Sequence, residues 1–340
     1  MTPQPDIEVI RLTHSSGASI EVCNYGATWL SAMMPDRYGA LGEVILGYDN
    51  IEAMMADPNY MGRTVGRYAN RIRKGRFCIG GKTCQLEIND GNNSNHSGPS
   101  GMSFRVFDIV SRTPDSVTFH YLSKDGEGGF PANVDILVSY TLTADLAVKI
   151  DYRATTDALT VLNLTNHAYF NLNGCGDIYS HRLYIPSTRM LESNQEFLPT
   201  GKVLDVADTP FDFSKGKQVG EGINFDMEQF SWNRGYNHCY LFSTGQGGEK
   251  QSRLMAELRS ENSGRSVTLY STYPAVQIYS GGFLDSSFPT RLGRNAQPAD
   301  GIALEAQFAP DTPNQPQFPQ CTLTPEEEYR HQIVYKFGVI

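Results

Sequence analysis

The chain has 340 residues, 40% of them hydrophobic and 19% charged, an ordinary globular composition that supports an apolar core without metals or cross-links. Its formal net charge is −9, from 28 basic and 37 acidic residues, and an acidic excess repels polyanions. Nucleic acid and anionic membranes are therefore not expected as partners.

Taken in chain order, the start at Met1-Thr2-Pro3-Gln4-Pro5-Asp6 lacks a basic segment followed by an apolar one, and no later run reaches the length of a membrane span. A cytoplasmic location is expected. Asn50 is placed to cap a short helix over 51–56. Residues 63–76 then carry six cations, Arg63, Arg67, Arg71, Arg73, Lys74 and Arg76. They follow no single spacing and no glycine-rich phosphate cradle. A solvated strand face with one or two arginines turned inward is the first reading, and a phosphate clamp the second. Ile79-Gly80-Gly81-Lys82 has the glycines that a tight hairpin turn requires.

The connection 89–104 contains Asn92-Asn93-Ser94-Asn95-His96-Ser97-Gly98, a polar stretch closed by glycine. After it the texture is that of β structure. Val117, Phe119 and Tyr121 alternate with polar residues, as do Val134, Ile136, Val138 and Tyr140. Leu146, Val148, Ile150 and Tyr152 repeat the pattern beyond a break at Thr143-Ala144-Asp145, which reads as a hairpin. In Leu164-Thr165-Asn166-His167-Ala168-Tyr169-Phe170-Asn171, a strand would project Thr165, His167, Tyr169 and Asn171 from one face. Leu164, Ala168 and Phe170 would pack behind. Such a polar row suits a sugar-binding floor, and a satisfied core histidine is the plainer alternative for His167. Val267, Leu269, Val276 and Ile278 continue the alternation.

Further long connections are expected at 171–182 and 284–320, and loops of this kind line clefts on rigid scaffolds. Within the second lies Gly301-Ile302-Ala303-Leu304-Glu305-Ala306-Gln307, a single carboxylate among apolar neighbours. Burial without a cation would raise its pKa and make it a better base near neutrality; a water-facing glutamate at a strand edge is the alternative. Pro325, followed by three glutamates, reads as the start of a short helix. Glycine and proline punctuate the whole chain without gathering in a linker, so residues 1–340 are expected to form a single domain, mainly β, as a large antiparallel β-sandwich. The six cysteines form no Cys-x-x-Cys pair and are expected as free thiols, with no metal site.

Eight segments in order resemble the aldose 1-epimerase family, galactose mutarotases in particular. They are 64–72, Asn95-His96-Ser97-Gly98, 165–172, 198–201, 209–213, Gly235-Tyr236-Asn237-His238, 274–279 and Ala303-Leu304-Glu305-Ala306-Gln307. The resemblance runs from about residue 7 to the C-terminus. It implies a one-domain β-sandwich and an isomerase that interconverts the anomers of free hexoses without metal or cofactor. By position it implies Glu305 as general base, His167 as general acid and His96 as second active-site histidine. Asn70, Arg71, Tyr169 and Gln277 match positions lining the sugar site. Asn237 stands where the family often carries an aspartate, and Ser97-Gly98 where two glycines are common, which bears on substrate choice. The partner implied is a small monosaccharide, and the assembly a monomer or homodimer. Two rivals stay open at this stage: a phosphosugar 1-epimerase recruiting Arg63, Arg67 or Arg73, and a non-catalytic carbohydrate-binding protein.

Overall fold

The computed structural model describes residues 6–223, 227–243 and 251–340. Among them the largest sheet is antiparallel and nine-stranded. Its middle is built by the alternating segments: Val134–Leu142 pairs with Ala147–Thr156, which pairs with the C-terminal strand Tyr329–Val339. Val134, Ile136, Val138 and Tyr140 are buried while their neighbours are not, as period-2 alternation requires. A second antiparallel sheet has six strands, in the spatial order Tyr169–Phe170, Ile302–Gln307, Ala275–Tyr279, Asn237–Leu241, Arg189–Ser193 and Pro199–Asp205. A four-stranded sheet near the N-terminus runs from Val9–Thr13 to Leu41–Glu43.

One apolar cluster joins the two large sheets. Phe170, Val276, Ile278, Ile302, Leu304 and Ala306 from the six-stranded sheet share it with Ile150, Tyr152, Ile333 and Tyr335 from the nine-stranded one. Tyr335 Oη donates to the Leu304 carbonyl at 2.8 Å, so a hydrogen bond as well as packing ties the layers. The mainly β antiparallel sandwich read from the sequence is what the chain forms.

Both hairpins appear. Ile79 pairs with Lys82 across Gly80 and Gly81 at φ +56° and +75°, a left-handed pair that glycine adopts without strain. The helix Ile51–Met55 is capped by Asn50, whose Oδ1 accepts the Ala53 N–H at 2.8 Å. All six cysteines are free. Among the described residues no helix is long and apolar enough to cross a membrane.

Three expectations are corrected. No helix follows Pro325; residues 325–326 turn directly into Tyr329–Val339, whose place at the centre of the large sheet outweighs a weak local preference. The stretch 284–320 is not one connection, because it contains Ile302–Gln307, paired on both sides with Tyr169–Phe170 and Ala275–Tyr279. The stretch 164–171 is not one strand either. Thr165–Asn166 pairs with Thr64–Val65, whereas Tyr169–Phe170 pairs with Ile302–Gln307. Between them the His167 backbone is taken by other partners.

Candidate active site

The six-stranded sheet offers two faces of different character. Leu304 and Ala306 point into the core, so Ala303, Glu305 and Gln307 point the other way. Register places Cys239, Gln277 and Glu305 in one row and Asn237, Tyr279, Ala303 and Tyr169 in the next. This outer face is the floor of a cavity of about 330 Å³. Gln277 Nε2 donates to Asn237 Oδ1 at 2.7 Å, and Asn237 in turn lines the cavity.

One wall comes from two loops that clasp each other. The Asn70 N–H donates to His96 Nδ1 and the His96 N–H donates to the Asn70 carbonyl, both at 3.2 Å. Asn70, His96 and Ser97 all have positive φ, at +69°, +53° and +65°. Ser97 Oγ accepts the Tyr68 N–H at 2.8 Å and donates to its carbonyl at 3.2 Å, which stabilises that conformation. Since His96 Nδ1 is an acceptor, its neutral ring carries the proton on Nε2. Burial, together with the charges of His167 and Arg71, holds His96 well below the usual histidine range, so the ring stays neutral. Arg71 is fixed on two sides. Its Nε donates to Asp90 Oδ2 at 2.7 Å, and its guanidinium lies 4.8 Å from the centre of the Phe197 ring.

Beside that wall stands His167, its ring 5.3 Å from that of His96. Its N–H donates to the Arg63 carbonyl at 2.9 Å and its carbonyl accepts the Gly62 N–H at 3.0 Å. Thr165 Oγ1 donates to the Ala306 carbonyl at 2.9 Å, pinning this segment beside the Glu305 strand. The result brings His167 Nε2 to 3.7 Å from Glu305 Oε2, with the two side chains only 5% and 2% exposed. Glu305 Oε2 is buried without a hydrogen-bond partner. Burial pushes the Glu305 carboxyl up to about 8, against a smaller opposing pull from Arg71. The same burial lowers His167 to about 4. Desolvation penalises both charges, so the pair holds one proton between them across the neutral range.

Of the residues singled out in the sequence, Glu305, His167, His96, Asn70, Arg71, Tyr169 and Asn237 line this cavity, and Gln277 lies in its floor. Two members of the supposed polar row do not. Thr165 is spent on the Ala306 carbonyl, and Asn171 Nδ2 donates to the Gly176 and Asp300 carbonyls. The arginine run also divides. Arg63 and Arg67 are buried and donate to backbone carbonyls, Arg63 to Ser103, Met54 and Met55, Arg67 to Pro131 and Ala132. Arg73 faces Asp311 at 3.7 Å. These three cations build the scaffold instead of clamping a phosphate.

Sequence reading missed Pro58, Asn59, Tyr60, Asp90, Asn95, Phe197, Tyr279 and Phe283, all of which line the cavity. Asp57-Pro58-Asn59 signals a turn by composition, but nothing local says that the turn aims Tyr60 at a histidine more than a hundred residues away.

The chain matches a family model described as aldose 1-epimerase over residues 8–336. It is 37% identical to the galactose mutarotase of Bos taurus over 326 residues, covering 94% of this chain and 91% of that protein. It is 36% identical to the aldose 1-epimerase of Escherichia coli (strain K12) over 332 residues, covering 97% and 94%. Among solved structures, a GalM/aldose epimerase homologue from C. elegans superposes with a TM-score of 0.91 at 30% identity, covering 98% of this chain and 99% of that one. The galactose 1-epimerase from Lactobacillus acidophilus NCFM gives 0.85 at 28% identity, covering 100% and 96%.

Proposed function

This chain belongs to the aldose 1-epimerase family, an isomerase class, and from that membership we propose how its own residues interconvert the α and β anomers of a free hexose. Glu305 takes the proton of the C1 hydroxyl while His167 Nε2 gives one to the ring oxygen. The C1–ring oxygen bond breaks, the open aldehyde turns about its C1–C2 bond, and reclosure by the reverse transfers yields the other anomer. Each positioned acid or base contributes about 10²–10⁴-fold, so the two together account for the catalysis.

The observation that carries this reading is the approach of Glu305 to His167 at 3.7 Å in a buried cleft. The pair's single proton, held by Glu305 when no sugar is bound, passes to His167 in the working form. Sugar hydroxyls entering the cleft supply the hydrogen bonds that burial removed, and these favour the ionised carboxylate. His96 presents Nε2–H and Arg71 its terminal nitrogens to the oxygen on which negative charge develops. Asn237, with Oδ1 already accepting from Gln277, offers Nδ2–H to a sugar hydroxyl. Hydroxyl preference between glucose and galactose is assigned to this contact, and the substrate is a neutral monosaccharide.

The test is polarimetry on freshly dissolved α-D-glucose and α-D-galactose, comparing the native chain with Glu305→Gln. Accelerated relaxation, reduced at least about 100-fold in the variant, is the expected result. Unimpaired relaxation in the variant overturns the assignment of the base, and the ratio of the two native rates reads the hydroxyl preference.

A further inference from the structure

Residues 57–63 wrap one side of His167 and are organised by a buried acid that takes no part in the chemistry above. Asp57 Oδ1 accepts the Asn59 N–H at 2.7 Å and the Tyr48 hydroxyl at 2.9 Å, while Oδ2 accepts the Met61 N–H at 2.7 Å. The Arg63 N–H closes the turn on the Tyr60 carbonyl at 3.0 Å. Tyr60 is thereby held at φ +57°, a left-handed conformation that costs a tyrosine free energy and persists only where its surroundings enforce it.

The strained residue aims its ring at both site histidines. The Tyr60 ring lies nearly parallel to His167, at 6.4 Å and 23°, and 4.8 Å from His96. Tyr169 contributes a second near-parallel ring, 4.8 Å from His167 at 30°. Its hydroxyl donates to the Asn59 carbonyl at 3.1 Å, so both rings are tied to the same turn. An aromatic face carries negative electrostatic potential and attracts a cation within about 6 Å, most where water is excluded; Tyr169 lies well inside that range and Tyr60 at its edge.

We propose that Tyr60 is a positioning residue for the isomerase: its ring, held by the Asp57 turn, orients His167 towards Glu305 and stabilises the imidazolium form from which the ring oxygen takes its proton. The inference rests on the reading of His167 as the acid. It answers a difficulty in that reading, since burial alone drives His167 towards its neutral form. The other groups around His167 are Glu305 at 3.7 Å, the His96 ring at 5.3 Å, Arg71 beside His96, and Tyr279 packed on Tyr169. Behind the Tyr60 turn stand Asp57, Tyr48 and Arg63. Of these groups, His96 also meets the Tyr60 ring directly, at 4.8 Å.

The experiment compares Tyr60→Phe, which keeps a ring, with Tyr60→Leu, which does not. His167 protonation is followed by NMR of labelled histidine, assigned with His167→Asn, and turnover by polarimetry on α-D-glucose. Tyr60→Leu is expected to take up the His167 proton about tenfold less readily and to lose about tenfold in kcat, with KM moving less than about threefold. Tyr60→Phe should restore most of both. Melting curves check folding, and Tyr60→Met is the second ring-less variant should the leucine variant not fold. A ring-less variant with native His167 titration, or equal impairment by Phe and Leu, overturns the proposal. Retained turnover in His167→Asn would instead overturn the role of His167 as acid, while the NMR response to Tyr60 still reports on the ring.

Discussion

At the scale of single residues, the site is governed by what happens to charge when water is taken away. Glu305 keeps its proton up to about pH 8 in the folded chain, whereas an unfolded carboxyl releases it near its ordinary value. Between those values the folded state binds the extra proton, so Glu305 makes stability fall as pH rises through that window. Glu305→Gln removes this penalty. The variant should melt above the native chain at pH 8, by several degrees, and the gap should close below pH 4; melting curves at the two pH values check it. For activity the sign works from both ends. Below about 4 the pair carries two protons and the base is blocked, and above about 8 it carries none and the acid is missing. A plot of kcat/KM against pH should therefore be bell-shaped with limbs near those values, and a flat profile across pH 8 would contradict the shared proton. Apolar neighbours on both sides made a buried carboxyl with a raised pKa one of two readings of Glu305, a water-facing edge glutamate being the other, and the structure buries it. The protonated nitrogen of His96 was not legible in the sequence, since it depends on the Asn70 N–H reaching Nδ1 across two left-handed turns.

At the scale of elements, what could be read depended on where each segment finds its partners. The two hairpins and the Asn50-capped helix are decided within a few residues, and they stand as read. The segment around His167 is decided elsewhere: its hydrogen bonds go to residues 62–65 and 302–306, so local alternation described a strand that long-range pairing cuts in two. The arginine run divided for the same reason, as the carbonyls that take up Arg63 and Arg67 lie on other loops. Gly62 shows how tightly the two segments are joined. At φ +70° it approaches Trp29 so closely that a Cβ would lie 1.9 Å from the Trp29 carbonyl oxygen. Its own carbonyl accepts from Trp29 N–H and Asn166 Nδ2, each at 2.8 Å, while its N–H holds the His167 carbonyl. Gly62→Ala should cost about 1–3 kcal/mol in stability and lower kcat in the part that still folds, through displacement of His167. Denaturant unfolding and polarimetry on the same preparation would check both, and a fully active, equally stable variant would refute the coupling.

At the scale of the whole molecule, the mainly β sandwich was legible because several strands of its nine-stranded sheet alternate, from Val117 through Tyr152. The C-terminal strand was not, because the glutamates before it carry the stronger local signal. We propose that the chain unfolds as one unit, since a single apolar cluster spans both large sheets. One calorimetric transition is expected, and two resolved transitions would reject it. The same packing gives Ile302–Gln307 a peculiar exposure to genetic error. Alternate residues of that strand belong to different tasks, Leu304 to the core and Glu305 to the cleft. A substitution strikes one task and leaves the other standing, so the chemistry can drift while the sandwich persists. Loss of a single codon there exchanges the two sets at once, turning a carboxyl into the core and a leucine into the cleft. Along this strand the protein is open to change by replacement and closed to change by deletion.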